Sequence, residues 1–156
     1  MRNLMILFPA RNEADGLAVV VDMIPTAELR RLGWNHRMVL VDGHSTDGTA
    51  EEARRLGMEV FEQRGEIGKG VGLREAFDHF LASGDEALVM LDPDGTYDAR
   101  DIPLLLNRID NSDYDVVIGS RLRGKMDDGA MGRVNYVGNH ILTWTAVALF
   151  RHFTSC

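Results

Sequence analysis

An α/β fold, with a mostly parallel sheet flanked by helices, is what this 156-residue sequence predicts. Apolar runs and stretches of helical period take turns five times along the chain. The apolar runs are continuous, as in Met38-Val39-Leu40-Val41, and do not alternate with polar residues. Continuous runs of this kind mark strands covered on both faces. Several of the runs stop abruptly at polar residues, and ligands of such sheets bind outside the carboxyl ends of the strands.

Residues 4–8 form the first expected strand. Residues 13–24 follow as a helix, with Leu17, Val20, Val21 and Ile24 at helical spacing. Residues 37–42 are the second strand. A helix then opens at Thr46-Asp47-Gly48-Thr49 and runs to about Leu56; Ser45 or Thr46 is its expected cap, and Asp47 suits the positive end of its dipole. Residues 58–62 are a short third strand. Residues 70–82 are helical, with Leu73, Phe77, Phe80 and Leu81 expected on the packed face. Residues 87–91 are the fourth strand. Asp101 to about Ile109 is a helix that tolerates Pro103 in its first turn. Residues 115–118 are the expected fifth strand, and a last apolar helix covers residues 134–153. The three glycines of the 123–132 segment suggest a loop.

The totals limit the function. The net charge of −7 argues against nucleic acid as a partner, so a protein of this balance that handles phosphates needs local cations or a metal. A single cysteine, Cys156, allows no internal disulfide and no cysteine-based zinc site. That usage is compatible with a cytoplasmic location. The apolar start, Leu4-Met5-Ile6-Leu7-Phe8, is too short for a signal peptide and reads as a strand. No run approaches the roughly 20 apolar residues of a spanning helix.

The chemistry gathers at the strand ends. Strand one ends in Pro9-Ala10-Arg11-Asn12-Glu13, strand two in Asp42-Gly43-His44-Ser45, strand four in Asp92-Pro93-Asp94-Gly95, and strand five in Gly119-Ser120-Arg121. Asp92 and Asp94 taken alone are either a solvated Pro-Asp-Gly turn or two carboxylates around a hard cation such as Mg²⁺ or Mn²⁺. The Gly-rich stretch around Lys69 brings backbone close to an anion at a helix start and adds a point charge, without the spacing of a P-loop. Asp42 is a candidate acceptor for a base or ribose, Arg11 for nucleotide contact, and Arg121 for phosphate. Each has an ordinary alternative as a cap, turn or surface ion pair. His44 is a candidate ligand or proton carrier, but a lone loop histidine is usually neither.

Together, "FPARNEADGL", "VLVDGHSTDGTAEEA", "GEIGKGVGLREAF", "VMLDPDGTYDARDIPLLL" and "DVVIGSR" resemble the family 2 glycosyltransferases of the GT-A fold. The resemblance is nearest to the polyprenyl-phosphate sugar transferases, the branch that includes dolichol-phosphate mannose synthase. It implies a nucleotide-sugar donor held by Pro9, Ala10, Arg11, Glu13, Asp42, Lys69 and Asp92, and a divalent cation, Mg²⁺ or Mn²⁺, at Asp92 and Asp94. It implies Asp94 and Arg121 in catalysis, and Arg121 and Arg133 on the phosphate of a lipid-phosphate acceptor. The implied reaction moves the sugar with inversion from a donor of the UDP-glucose or GDP-mannose type to a polyprenyl or dolichyl phosphate.

Two departures stand out. The family's second strand usually ends in two adjacent acids and then Gly-Ser, whereas Asp42 here is followed by Gly43 and His44. Family domains also usually continue beyond a helix ending near Phe153, so residues 1–156 are expected to be one GT-A-like catalytic domain shortened at its C-terminus. The 134–153 helix is expected either to pack as a core helix or to lie at a membrane interface with Trp144 as anchor, which would place the protein at the cytoplasmic face of a membrane. A nucleotidyltransferase is the rival enzyme reading, but its Gly-rich first loop is missing. A non-catalytic nucleotide-sugar binder, or a truncated subunit, is the rival of a different class.

Overall fold

The computed structural model describes residues 1–120 and 132–150. The chain divides into two compact units, Met1–Asp110 and Asn111–Cys156. The first unit holds a four-stranded sheet made of β1 (Arg2–Ala10), β2 (Trp34–Asp42), β3 (Glu59–Glu62) and β4 (Ala87–Met90). Every pairing is parallel and the strand order is β3-β2-β1-β4. The chain order reverses at β1, which is the switch point where parallel sheets open a crevice for ligands.

The continuous apolar runs have the expected cause. Along β1, Leu4, Ile6 and Phe8 face one layer and Met5 and Leu7 the other, and all five are fully buried. On the first face pack Leu17 and Val20 of α1 (Ala14–Asp22), Leu29 of α2 (Thr26–Arg31), Ala53 of α3 (Thr49–Arg55) and Leu106 of α5 (Ile102–Asp110). The second face is covered by α4 (Lys69–Ser83) through Leu73, Ala76 and Phe80. Burying side chains of this size stabilises by about 1.5–3 kcal/mol each, so β1 is the strand that organises the unit.

Several expectations are corrected. The packed face of α4 runs through Gly72, Leu73, Ala76 and Phe80, while Phe77 and Leu81 are exposed. At 100° per residue, Phe77 lies one step round from Ala76, and the large residues do not set the stripe. α3 starts after Gly48, which takes φ 90°, and neither Ser45 nor Thr46 caps it. Asp47 acts there instead, accepting from the Thr49 N–H at 3.0 Å. α2 was hidden in the apolar-poor stretch Thr26–Arg31. A 3-10 turn at Ala99–Asp101, with Asp98 Oδ1 accepting from the Arg100 N–H, leads into α5.

The second unit departs further. Residues 115–118 form no strand, and Val116 and Ile118 are exposed. A strand needs a ladder partner for its N–H and C=O groups, and apolar composition alone supplies none. α6 (Arg133–Phe150) confirms the last helix over its described length. Val134, Ile141, Leu142, Trp144 and Leu149 are exposed on it. Among the described residues, no helix is long and apolar enough to cross a membrane.

Candidate active site

The carboxyl ends of the strands surround a cleft of about 350 Å³. Pro9, Ala10, Arg11 and Glu13 reach it from the end of β1, Val41 and Gly43 from β2, and Gln63 from the residue after β3. Ile67, Gly68, Lys69 and Gly72 contribute from the entry to α4, and Asp92, Pro93 and Asp94 from the segment after β4. Residues far apart in sequence thus meet on one cleft because four parallel strands all end there.

Two loops are tied to each other at its rim. Asn12 takes a left-handed φ of 57°. Its N–H donates to Ser45 Oγ at 2.9 Å, and its Oδ1 accepts from the Thr46 N–H at 2.9 Å. Asparagine is among the few side chains that tolerate this conformation. The Glu13 N–H donates to Thr49 Oγ1 at 2.9 Å, and the Ala14 N–H to Asp47 Oδ2 at 3.1 Å. The Thr49 hydroxyl and the backbone N–H groups hold the Asp47 carboxyl below the usual carboxylate range. These bonds fix the backbone on both sides of Glu13, and the Gly43 N–H donating to Ala10 O at 2.9 Å fixes it before Arg11.

The segment after β4 is a turn as well as a lining. Gly95 takes φ 76°, and the Thr96 N–H donates to Asp94 Oδ1 at 2.8 Å. The Thr96 hydrogen bonds, then the nearby Lys69 charge, keep the Asp94 carboxyl ionised below its ordinary range. Pro93 is buried between the half-buried Asp92 and the exposed Asp94. Lys69 Nζ donates to Asp92 Oδ1 at 2.7 Å. Glu75 of α4 accepts from the Arg64 and Gly65 N–H groups at 2.9 and 3.0 Å, which anchors the loop before Lys69.

Seven of the residues singled out from the sequence therefore meet: Pro9, Ala10, Arg11, Glu13, Lys69, Asp92 and Asp94. Asp42 stands at the end of β2 but is buried, its carboxylate accepting from the Ser45 N–H at 3.1 Å. His44 is exposed, with φ 61°. A β-carbon on Gly43 would stand 3.3 Å from Ala10 O, so a larger residue is crowded where the family pattern has its second acid. Arg121 lies outside the described residues, and of Arg133 only the backbone, at the start of α6, is described. Ile67 lies in the glycine-rich stretch singled out around Lys69, whereas Gln63 and Gly72 were not foreseen as lining. The strand-end rule applied to β3 would have found Gln63.

Among the described residues, no third His, Cys, Asp or Glu joins Asp92 and Asp94 in a cation-holding group. Two carboxylates still fit Mg²⁺ or Mn²⁺, which commonly take one or two from the protein and the rest from water and substrate phosphates.

Residues 5–153 match the model of glycosyl transferase family 2. The chain belongs to that family. Among curated family relatives, glycosyltransferase AglJ of Haloferax volcanii is 43% identical over 138 residues, covering 88% of this chain and 42% of that protein. The low-salt glycan biosynthesis hexosyltransferase Agl6 of the same organism is 36% identical over 141 residues, 90% of this chain and 33% of the relative. The chain thus spans less than half the length of either. Among solved structures, glucosyl-3-phosphoglycerate synthase of Mycobacterium tuberculosis in complex with uridine diphosphate superposes with a TM-score of 0.69 at 21% identity, over 96% of this chain and 51% of that one. The same synthase in complex with Mn²⁺ and UDP-glucose gives 0.57 at 21% identity, over 72% of this chain and 40% of that one. These likenesses show the fold, which is the GT-A type of the family 2 enzymes.

Proposed function

We propose that this family 2 chain carries the donor site of a metal-dependent inverting glycosyltransferase. The donor is a nucleotide-diphosphate sugar of the UDP-glucose or GDP-mannose type, and the acceptor a polyprenyl or dolichyl phosphate. The observation that supports this most is the meeting of Lys69, Asp92 and Asp94 with Arg11 and Glu13 on one cleft. The nucleoside lies toward Pro9, Ala10, Arg11 and Glu13. The diphosphate lies between Lys69 and the two acids, where Asp92 and Asp94 would hold Mg²⁺ or Mn²⁺. A bound cation supplies Lewis-acid neutralisation of the charge that grows on the departing diphosphate. Lys69 adds a point charge to the same oxygens. An acceptor phosphate is already ionised and needs little general-base help, and Arg121 and Arg133 are the residues proposed to bind it. The exposed apolar side chains of α6 suit contact with a membrane at its cytoplasmic face.

The test is a panel of UDP, GDP, UDP-glucose and GDP-mannose, each with Mn²⁺ or Mg²⁺, read by thermal shift, because a ligand that binds the native state raises its melting temperature. One sugar nucleotide is expected to stabilise the chain only with cation present. Transfer from that donor to a polyprenyl phosphate is then measured for the natural chain and for Asp94→Asn, which is expected to lose about tenfold or more in cation affinity and transfer with it. Stabilisation by none of the donors, or near-normal transfer by Asp94→Asn, overturns the reading. Binding without transfer makes the chain a nucleotide-sugar binder.

A further inference from the structure

Lys69 and Asp92 are placed as competitors, and that has a consequence for how the cleft loads. Lys69 is the first residue of α4, where the backbone is fixed by the Val71 and Gly72 N–H groups donating to Gly68 O, each at 3.1 Å. Its side chain is 59% exposed, so it is free to swing, whereas Asp92 is 23% exposed and sits beside the buried Pro93. The ammonium lies 2.7 Å from Asp92 Oδ1. An oxygen that accepts from an ammonium is a poor ligand for a divalent cation, because two positive charges then share one carboxylate. Asp94 is differently placed: its Oδ1 accepts from the Thr96 N–H, a neutral donor. The protein thus offers a cation one open carboxylate and one already engaged.

The geometry points to Lys69 as an exchangeable plug on the cation site: a diphosphate in the cleft draws its ammonium off Asp92, and the freed carboxylate takes up the cation. The inference rests on the reading of Asp92 and Asp94 as the cation site. Its chemistry needs only an exchange of ion pairs. Lysine's compact, mobile charge suits the exchange, since it moves from carboxylate to phosphate by rotation of a four-carbon stem. Two protein carboxylates also leave most of a cation's shell to phosphate oxygens and water. Both effects make cation and diphosphate bind as a pair, each tightening the other by the same factor. The surface character of the ion pair limits the plug to a modest free energy, so the effect is a severalfold one.

The experiment follows free Mn²⁺ by electron paramagnetic resonance while the full chain is titrated, first with Mn²⁺ alone, then with saturating UDP, then with saturating GDP. The natural chain is expected to bind Mn²⁺ weakly alone and more tightly with one of the nucleotides. Lys69→Met is expected to bind Mn²⁺ alone about two- to fivefold more tightly, and to show a correspondingly smaller tightening by nucleotide. Lys69→Arg, which keeps the charge, is expected to retain most of the natural coupling. If Lys69→Met changes Mn²⁺ affinity equally with and without nucleotide, only a distant repulsion has been removed and the plug is overturned. Unchanged Mn²⁺ affinity in Lys69→Met overturns it too. If Asp94→Asn leaves nucleotide-supported Mn²⁺ binding intact, the cation site itself is wrong and the plug falls with it. The two failures are therefore told apart by different variants.

Discussion

Gly16 packs its α-carbon against the carbonyl of Pro93, so closely that a β-carbon there would stand 2.2 Å from Pro93 O. Gly16 belongs to the first turn of α1, and Pro93 separates the two acids of the cleft. The glycine is therefore what lets α1 support the Asp92–Asp94 segment from behind. Alanine would gain about 1 kcal/mol of helix propensity, but the clash is with backbone and cannot be relieved by a side-chain rotation. Gly16→Ala is expected to cost a net 1–2 kcal/mol or so through overpacking and to weaken Mn²⁺-supported nucleotide binding. Urea unfolding and nucleotide titration check the two parts. Unchanged binding would show that Pro93 does not transmit the displacement to its neighbours.

Asn12 carries a second structural prediction. Its Oδ1 holds the Thr46 N–H, and its backbone has a positive φ. Asn12→Ala loses a hydrogen bond worth about 1 kcal/mol and leaves its β-carbon in a left-handed conformation that asparagine tolerates better than alanine. Asn12→Gly loses the bond without that strain. Alanine is thus expected to be the more destabilising of the two by denaturant midpoint. Equal losses would mean that the conformation relaxes when the side chain is removed.

The sheet's architecture was legible because burial on both faces leaves continuous apolar runs, as in Leu4 to Phe8. The lining of the cleft was partly legible because parallel strands end together, which makes Arg11, Lys69, Asp92 and Asp94 neighbours by topology. The α4 stripe was misread because small residues, Gly72 and Ala76, form its packed line while the bulkier Phe77 points out. The strand at 115–118 was misread because pairing depends on a partner strand and not on local composition. Asp42 was placed at the right strand end, but only the fold shows its carboxylate turned to the Ser45 N–H. The packing role of Gly16 cannot be read locally, because it is set by a segment more than seventy residues away.

Away from the cleft, Arg37 of β2 bridges two acids on the α4 side. Its Nη2 donates to Asp85 Oδ2 at 2.6 Å, and its Nη1 pairs with Glu59. Burial works to raise the Asp85 carboxyl, but the Arg37 and Ser83 hydrogen bonds prevail and hold it below its ordinary value. A carboxylate with a depressed folded pKa contributes stability that is fully present above its unfolded value, about 3.9. That stability is lost as pH falls through the lower folded value. The melting temperature is therefore expected to drop as pH is lowered below about 4. Arg37→Met leaves Asp85 without its main partner and is expected to cost about 1–3 kcal/mol near neutral pH. It should also flatten part of the acid limb, measured by thermal melts across pH. An acid limb of unchanged steepness would assign the dependence to other pairs, such as Arg2 with Asp110.

Gly72 separates binding from stability. It lies on the packed face of α4, and a β-carbon there would stand 2.9 Å from Gln63 Oε1 and 3.4 Å from Val41 Cγ1. Gln63 is 3% exposed, and its Nε2 donates to the Glu66 carbonyl, so it ties the 64–68 loop to the cleft floor. Unlike the Pro93 carbonyl, the carboxamide is the far end of a side chain and has room to move toward the cleft. Gly72→Ala gains about 1 kcal/mol of helix propensity and loses about as much in the Gln63 hydrogen bond. Stability is expected to stay within about 1 kcal/mol of the natural chain, while nucleotide affinity falls several-fold as the loop before Lys69 shifts. Gln63→Ala should lower the affinity in the same direction, and combining the two should add little, because both release the same tie. Urea unfolding with parallel nucleotide titrations reads this out. Additive losses would mean that Gly72 acts on the cleft by a route that does not pass through Gln63.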